Sequence, residues 1–181
     1  MALSSVKFFD LRYDQNNKSP ILFLKDTKSD RYLPVWIGET EALSIELASR
    51  GERAPRPLTH DLMTTVLSEC GIRVISVIID RLIGSTYYAN LVLEIDGRTI
   101  EVDCRPSDGI ALALREHAQI FVSDELLYHI KFVELEPAET DFEEGESLEG
   151  SDEEQSTEGL PSPDAFRQLL QRLKPIDFEK G

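Results

Sequence analysis

The stretch Val102-Asp103-Cys104-Arg105-Pro106-Ser107-Asp108-Gly109-Ile110-Ala111-Leu112-Ala113-Leu114-Arg115 constrains the fold more than any other, because it joins strand-like residues to an apolar helix through a short polar corner. Pro106 blocks backward extension of the helix. Ser107 is placed to cap it, and Asp108 falls in the first turn, where a carboxylate complements the positive end of the dipole. Ile110, Leu112, Ala113 and Leu114 make the helix apolar nearly all round, which predicts cover on more than one side. Arg105, Ser107 and Asp108 therefore stand where backbone N–H groups and side chains can converge on a ligand. A second corner, Pro55-Arg56-Pro57-Leu58-Thr59-His60-Asp61, brings a basic residue, a proline, a hydroxyl and an acid to another helix start, with a histidine added.

The remaining pattern predicts an α+β domain, a largely antiparallel or mixed sheet with helices packed against it. Residues 6–13 and 21–25 read as a hairpin, and 31–37 as a further strand ending at Gly38. A helix follows from Glu39, closed by Gly51. The helix from Thr59 to Cys70 carries Leu62, Met63, Val66, Leu67 and Cys70 at spacings of three and four, which predicts one buried face. Strands over 72–80, 87–95 and 98–104 form a meander whose second turn, Asp96-Gly97, is a strong hairpin signal. Ile120-Phe121-Val122 is a short strand, Ser123 caps a short helix to about Tyr128, and residues 131–135 read as a last strand. Trp36 is expected in the core, as are Cys70 and Cys104, which are too few for a disulfide framework and lack zinc-site spacing.

Charge divides the chain. Overall there are 19 basic and 34 acidic residues, net −15. Residues 1–133 hold 15 basic against 19 acidic, net −4, so −11 falls beyond them. Twelve acids and no Lys or Arg lie between Glu134 and Glu158, a composition that predicts a disordered linker. After it, Phe166, Leu169, Leu170 and Leu173 form the stripe of a short amphipathic helix, too short to persist alone and so expected to dock on its own domain or on a partner. The expected organisation is a domain over 1–135, a linker over 136–160 and a helical segment over 161–181. No stretch approaches the roughly 18 apolar residues of a membrane span, and no export signal opens the chain, which predicts a cytoplasmic protein away from membranes.

His60 is the candidate for proton transfer, since imidazole alone has an ordinary pKa near neutrality. The alternative is a partly exposed histidine beside a helix cap. Asp61, Asp103 and Asp108, with Glu39 and Glu41, supply the hard oxygen ligands of Mg²⁺ or Mn²⁺ if the corners meet, or else only complement helix dipoles. Arg56 and Arg105 are suited to gripping a phosphate or carboxylate, or to internal salt bridges. No phosphate-binding loop, dinucleotide glycine pattern, nucleophile elbow or zinc-protease motif occurs, and no organic cofactor is expected.

Three stretches in order, Leu33-Pro34-Val35-Trp36-Ile37-Gly38-Glu39-Thr40-Glu41-Ala42, Pro55 to Leu62 and Asp103 to Ala113, resemble the bifunctional nuclease domain family over roughly residues 5–135. The resemblance implies an α+β domain and, for some members, cleavage of both DNA and RNA. Where the family usually has Ala this chain has Cys104 and Gly109, while the polar residues are kept. On this footing the chain is expected to be a nuclease with His60, Asp61 and Asp108 as catalytic groups, Arg56, Arg105 and Ser107 on substrate, and Asp103 and Glu41 on a metal. The rival reading is a noncatalytic module binding an anion or a protein through the same corners. A homo-oligomer and a protein partner for the C-terminal helix are compatible with either.

Overall fold

A computed structural model describes residues 2–14 and 18–129. The chain forms β1 (Leu3–Asp14), β2 (Ser19–Asp26), β3 (Arg31–Trp36), α1 (Glu39–Arg50), α2 (Thr59–Glu69), β4 (Arg73–Ile83), β5 (Thr86–Ile95), β6 (Arg98–Cys104), α3 (Pro106–Glu116), β7 (Gln119–Ser123) and a two-residue β8 (Tyr128–His129). A short 3-10 helix, Asp124–Leu126, replaces the longer helix expected after Ser123. The strand expected over 131–135, the acidic linker and the C-terminal helix lie outside the described residues. Among those residues no helix is long and apolar enough to cross a membrane.

The eight strands make one mixed sheet in the order β6-β5-β4-β7-β1-β2-β3-β8. Only β4 and β7 run parallel, and α3 lies between β6 and β7 in the chain as part of the return. The expected first hairpin and the β4-β5-β6 meander are both present. At the turn between β5 and β6, Asp96 and Gly97 have φ of 49° and 71°. That pair of left-handed residues matches the two-residue turn whose twist suits antiparallel strands.

All three helices gather over one face. α1 contacts β1 and β2, and α3 contacts β4, β5 and β7, with α1 and α2 packed on its flanks. Ile110, Ala111, Leu112 and Ala113 are almost wholly buried, in keeping with an α3 covered on several sides. Alternation along the strands sends Leu22, Leu24, Leu33 and Val35 into this core, with Val77, Leu91 and Leu93 from the meander.

Three expectations about the core fail. Trp36 is 44% exposed, because Leu33 and Val35 take the core side of β3 and turn Trp36 to the other face. Cys70 is exposed and Cys104 is only partly buried. In α2 the apolar stripe points outward: Leu62, Met63 and Val66 are exposed, and only Leu67 packs against the core. The helix is rotated so that His60, Thr64 and Leu67, spaced by four and three, face inward, and polar ties at His60 and Asp61 fix that rotation.

Cys104 and Gly109 are neighbours in space. A Cβ added at Gly109 would lie 2.9 Å from Val77 Cγ1 and 3.1 Å from Cys104 Sγ. Val77 and Cys104 together leave no room for a side chain at 109, and α3 approaches β4 closely there. Gly109→Ala is expected to cost about 2 kcal/mol from overpacking. Adding Cys104→Ala should recover part of that cost, so denaturant unfolding of the single and double variants should reveal favourable coupling; strict additivity would contradict the packing account.

Candidate functional site

The polar residues of the two corners meet where α1, α2 and α3 pack. Arg115, in the last turn of α3, donates from Nε to Asp61 Oδ1 at 2.6 Å, from Nη1 to the Ser44 and Ala111 carbonyls at 3.1 and 3.0 Å, and from Nη2 to Ser44 Oγ at 3.1 Å. Ser44 Oγ is in turn 2.9 Å from His60 Nδ1, and His60 Nε2 is 3.2 Å from Asp108 Oδ1. Arg105 grips Asp108 with two donors, Nε to Oδ2 at 2.6 Å and Nη2 to Oδ1 at 2.9 Å. Its Nη2 also lies 2.8 Å from Glu41 Oε1 of α1. An unbroken polar chain therefore runs Asp61–Arg115–Ser44–His60–Asp108–Arg105–Glu41.

Local sequence explains each placement. Pro106 occupies the first turn of α3, and Arg105, not Ser107, is its N-cap. Ser107 instead lies inside the first turn and is buried. Asp61 accepts the Leu58 N–H at 2.8 Å, satisfying a donor at the start of α2, while its other oxygen takes Arg115. The neighbours His60 and Asp61 therefore face different partners.

The electrostatics follow from this pairing. Burial alone would raise the Asp108 carboxyl, but hydrogen bonds and charge from Arg105 and His60 hold it below the usual aspartate value. Burial likewise opposes ionisation of Asp61, and Arg115 with the Leu58 N–H overcomes it. Asp108 and Glu41 in turn raise the Arg105 guanidinium against partial burial. Burial, aided by Asp108 and Asp103, pushes the Cys104 thiol up to about 11, so it remains a thiol and not a thiolate nucleophile at neutral pH.

Because an ionised Asp108 can only accept, His60 Nε2 carries a hydrogen. Nδ1 is engaged by Ser44 Oγ, so neither ring nitrogen offers a free lone pair in this arrangement. The Ser44–His60–Asp108 sequence of contacts has the composition of a nucleophilic triad, yet Ser44 is only 3% exposed and its Oγ also accepts from Arg115. It is a positioning network and not an exposed nucleophile.

Two hollows flank the chain of polar groups. At the Arg105 end a cleft of about 380 Å³ is lined by Trp36, Gly38, Tyr87, Arg105 and Ser107 among others. Gly38 and Arg105 are the N-caps of α1 and α3, so two helix N-termini open on the same cleft. At the opposite end a hollow of about 530 Å³ is lined by Arg53, Asp61, Thr64, Thr65, Arg115 and His117.

Of the residues expected from sequence, the structure gathers His60, Asp108, Arg105 and Glu41, places Ser107 on the cleft wall, and links Asp61 through Arg115. Two remain apart. Cys104 faces α3, so the preceding Asp103 points to the opposite side of the sheet, and Arg56 is exposed in the loop before α2. Among the described residues no three His, Cys, Asp or Glu side chains form a ready metal-ligand group. Ser44 and Arg115 escaped sequence reasoning, since their partners lie up to 71 positions away and no local spacing announces them.

Comparison with known proteins agrees with this corner-built domain. Residues 22–134 match the bifunctional nuclease domain. The chain belongs to the bifunctional nuclease domain family. Among its relatives, an uncharacterized protein of Mycobacterium tuberculosis is 36% identical over 177 residues, covering 98% of this chain and 99% of the relative. Bifunctional nuclease 1 of rice, Oryza sativa subsp. japonica, is 31% identical over 148 residues, covering 72% of this chain and 44% of that protein. The bifunctional nuclease of Oryza minuta is similar to the same extent. The chain thus spans less than half of the rice proteins.

Arg115→Met should destabilise the domain by about 3 kcal/mol, because Asp61 and the Ser44 carbonyl lose a buried partner. Asp61 and Asp108 titrate below the usual value of 3.8 when folded, so their stabilisation is complete above that value and is lost as pH falls below it. Melting measured between about pH 5 and pH 3 should therefore fall less steeply in Arg115→Met than in the unaltered chain. Equal slopes would show that Arg115 does not hold the Asp61 charge.

Proposed function

We propose that this chain is a nuclease that hydrolyses phosphodiester bonds of DNA, RNA or both at the corner where α1 and α3 begin. The observation that carries the reading is Arg105: its side chain is 66% exposed at the cleft, between two carboxylates supplied by different helices. A guanidinium so placed can turn its paired donors to a phosphate, with the first-turn N–H groups of two helices adding positive potential. As the phosphate engages Arg105, Glu41 and Asp108 are freed to orient the attacking water and accept its proton.

His60 serves Asp108 here. Its Nε2–H fixes the carboxylate, and Ser44 fixes the ring, so the acid or base role expected from sequence becomes a positioning role. Asp61 acts at one remove through Arg115, and Ser107 offers a hydroxyl to the cleft. Mg²⁺ or Mn²⁺ fits the donor chemistry as an ion held by Glu41 and Asp108 and completed by a substrate phosphate, two carboxylates that already converge on one cation. When bound, such an ion would polarise the phosphate. Asp103, on the other side of the sheet, is not among its ligands.

A second reading, a noncatalytic module binding an anion or a protein, draws support from one fact: both ring nitrogens of His60, and Nε and Nη2 of Arg105, are already engaged by internal partners. Cleavage of single- and double-stranded DNA and RNA, with Mg²⁺, Mn²⁺ or EDTA, separates the two. The nuclease reading expects activity that falls on the order of 100-fold in Asp108→Asn and Glu41→Gln, with a smaller loss in His60→Gln. Silence of the unaltered protein under all conditions, or activity indifferent to Asp108→Asn, would leave the binding module as the better account.

A further inference from the structure

The cleft beside Arg105 has more than an anion to accommodate. Arg105, Ser107 and Thr86 line it together with Ile37, Tyr87 and Pro106, so charged and apolar groups border one space of about 380 Å³. A phosphate needs only the first set. The second suits a flat apolar body joined to that phosphate. The volume stands near the low end of the roughly 300–1,000 Å³ of small-ligand sites, room for one nucleotide unit and not for a paired one. A base still paired to a second strand could not enter.

Strand register places the ring that would meet the base. Ala89 of β5 pairs with Cys104, the last residue of β6, and a Cβ at Gly109 of α3 would lie 3.1 Å from Cys104 Sγ. Ala89 and Cys104 therefore share the helix-covered face, and Tyr87, two residues before Ala89, shares it too. β5 begins beyond the point where β6 ends, which brings Tyr87 beside the first turn of α3, where Pro106 and Ser107 line the same cleft. Tyr87 is partly buried and packs against the core, so the ring is held in place before any ligand arrives.

Charge points the same way. A protein that tracks a duplex draws affinity from many Lys and Arg along the backbone, whereas residues 1–133 hold 15 bases against 19 acids. Among the described residues that line the cleft, Arg105 is the single cation. One phosphate can be gripped there, and the rest of the affinity has to come from the base beside it.

We propose that the ligand of this cleft is a single-stranded polynucleotide, one unpaired nucleotide of which enters with its phosphate on Arg105 and its base against Tyr87. The inference rests on the reading of this site as one for phosphodiesters, and it makes Tyr87 the residue that selects unpaired strands.

The experiment measures binding of short labelled strands by fluorescence anisotropy, in EDTA and in Ca²⁺, with strand integrity checked afterwards. The strands are oligo(dT), oligo(U), a duplex of equal length, and an abasic strand that keeps the phosphates and lacks the bases. The unaltered chain is compared with Tyr87→Phe and Tyr87→Leu, each checked by melting. The expected result is single strands bound on the order of 10-fold more tightly than the duplex or the abasic strand, a similar loss in Tyr87→Leu, and binding kept in Tyr87→Phe. The logarithm of affinity should fall against that of salt with a slope of about −1, as for one phosphate. The tighter of oligo(dT) and oligo(U) identifies the sugar the cleft prefers. Equal binding of paired, abasic and unpaired strands would overturn the inference even if cleavage persists, and the abasic arm needs no variant to fold. A folded Tyr87→Leu that binds like the unaltered chain would overturn it, as would a salt slope of a many-phosphate footprint or no binding in either condition. Base-dependent binding by a protein that cleaves nothing would support it while overturning the nuclease reading, so the two fail separately.

Discussion

The guanidinium of Arg115 is the tie on which the helical layer depends. It reaches from the end of α3 to Asp61 on α2 and to both the carbonyl and the hydroxyl of Ser44 on α1, so three helices from distant parts of the chain share one buried cation. Apolar packing alone would not fix their rotation: α2 leaves Leu62, Met63 and Val66 in solvent in order to turn His60 and Asp61 inward. Burying a guanidinium carries a desolvation cost that its hydrogen bonds must offset. What is gained is a defined arrangement, because a rotated α2 would strand Arg115 and Asp61 together.

From that tie the order passes outward to the site. Ser44 holds the His60 ring, His60 holds Asp108, and Asp108 with Glu41 holds Arg105 at the cleft. The most buried members set geometry, and the most exposed member, Arg105, is the one placed to meet a ligand. Two helix N-termini open on the same cleft, so positive potential and carboxylates lie side by side. Such a mixture suits hydrolysis of an anion by water, where one set of groups binds charge and the other directs a proton.

Much of this was legible in the residues. The hairpins, the meander, the three helices and both corners follow from periodicity, glycine and proline, and the fold class with them. Asp96-Gly97 specified its turn through two left-handed residues. The corner motifs also named His60, Arg105, Asp108 and Glu41 before their convergence was visible. What could not be read was rotation and reach. The apolar spacing in α2 implied a buried stripe, but a polar contact across 54 positions of sequence overrode it. Trp36 looked like core by size alone, yet strand alternation turned it to the other face. Asp103 was expected to join the other acids if the corners met, and the same alternation separates it.

The claim that Ser44 and Asp108 hold the His60 ring can be tested without any substrate. Imidazole ¹⁵N resonances of the labelled full chain report which nitrogen of each histidine carries hydrogen, and His60→Gln assigns the signal. The account predicts that His60 holds its hydrogen on Nε2, in a bond to Asp108 that exchanges slowly with water, and that Asp108→Asn disturbs this signal. A His60 protonated on Nδ1 alone, or one exchanging freely and indifferent to Asp108→Asn, would contradict it.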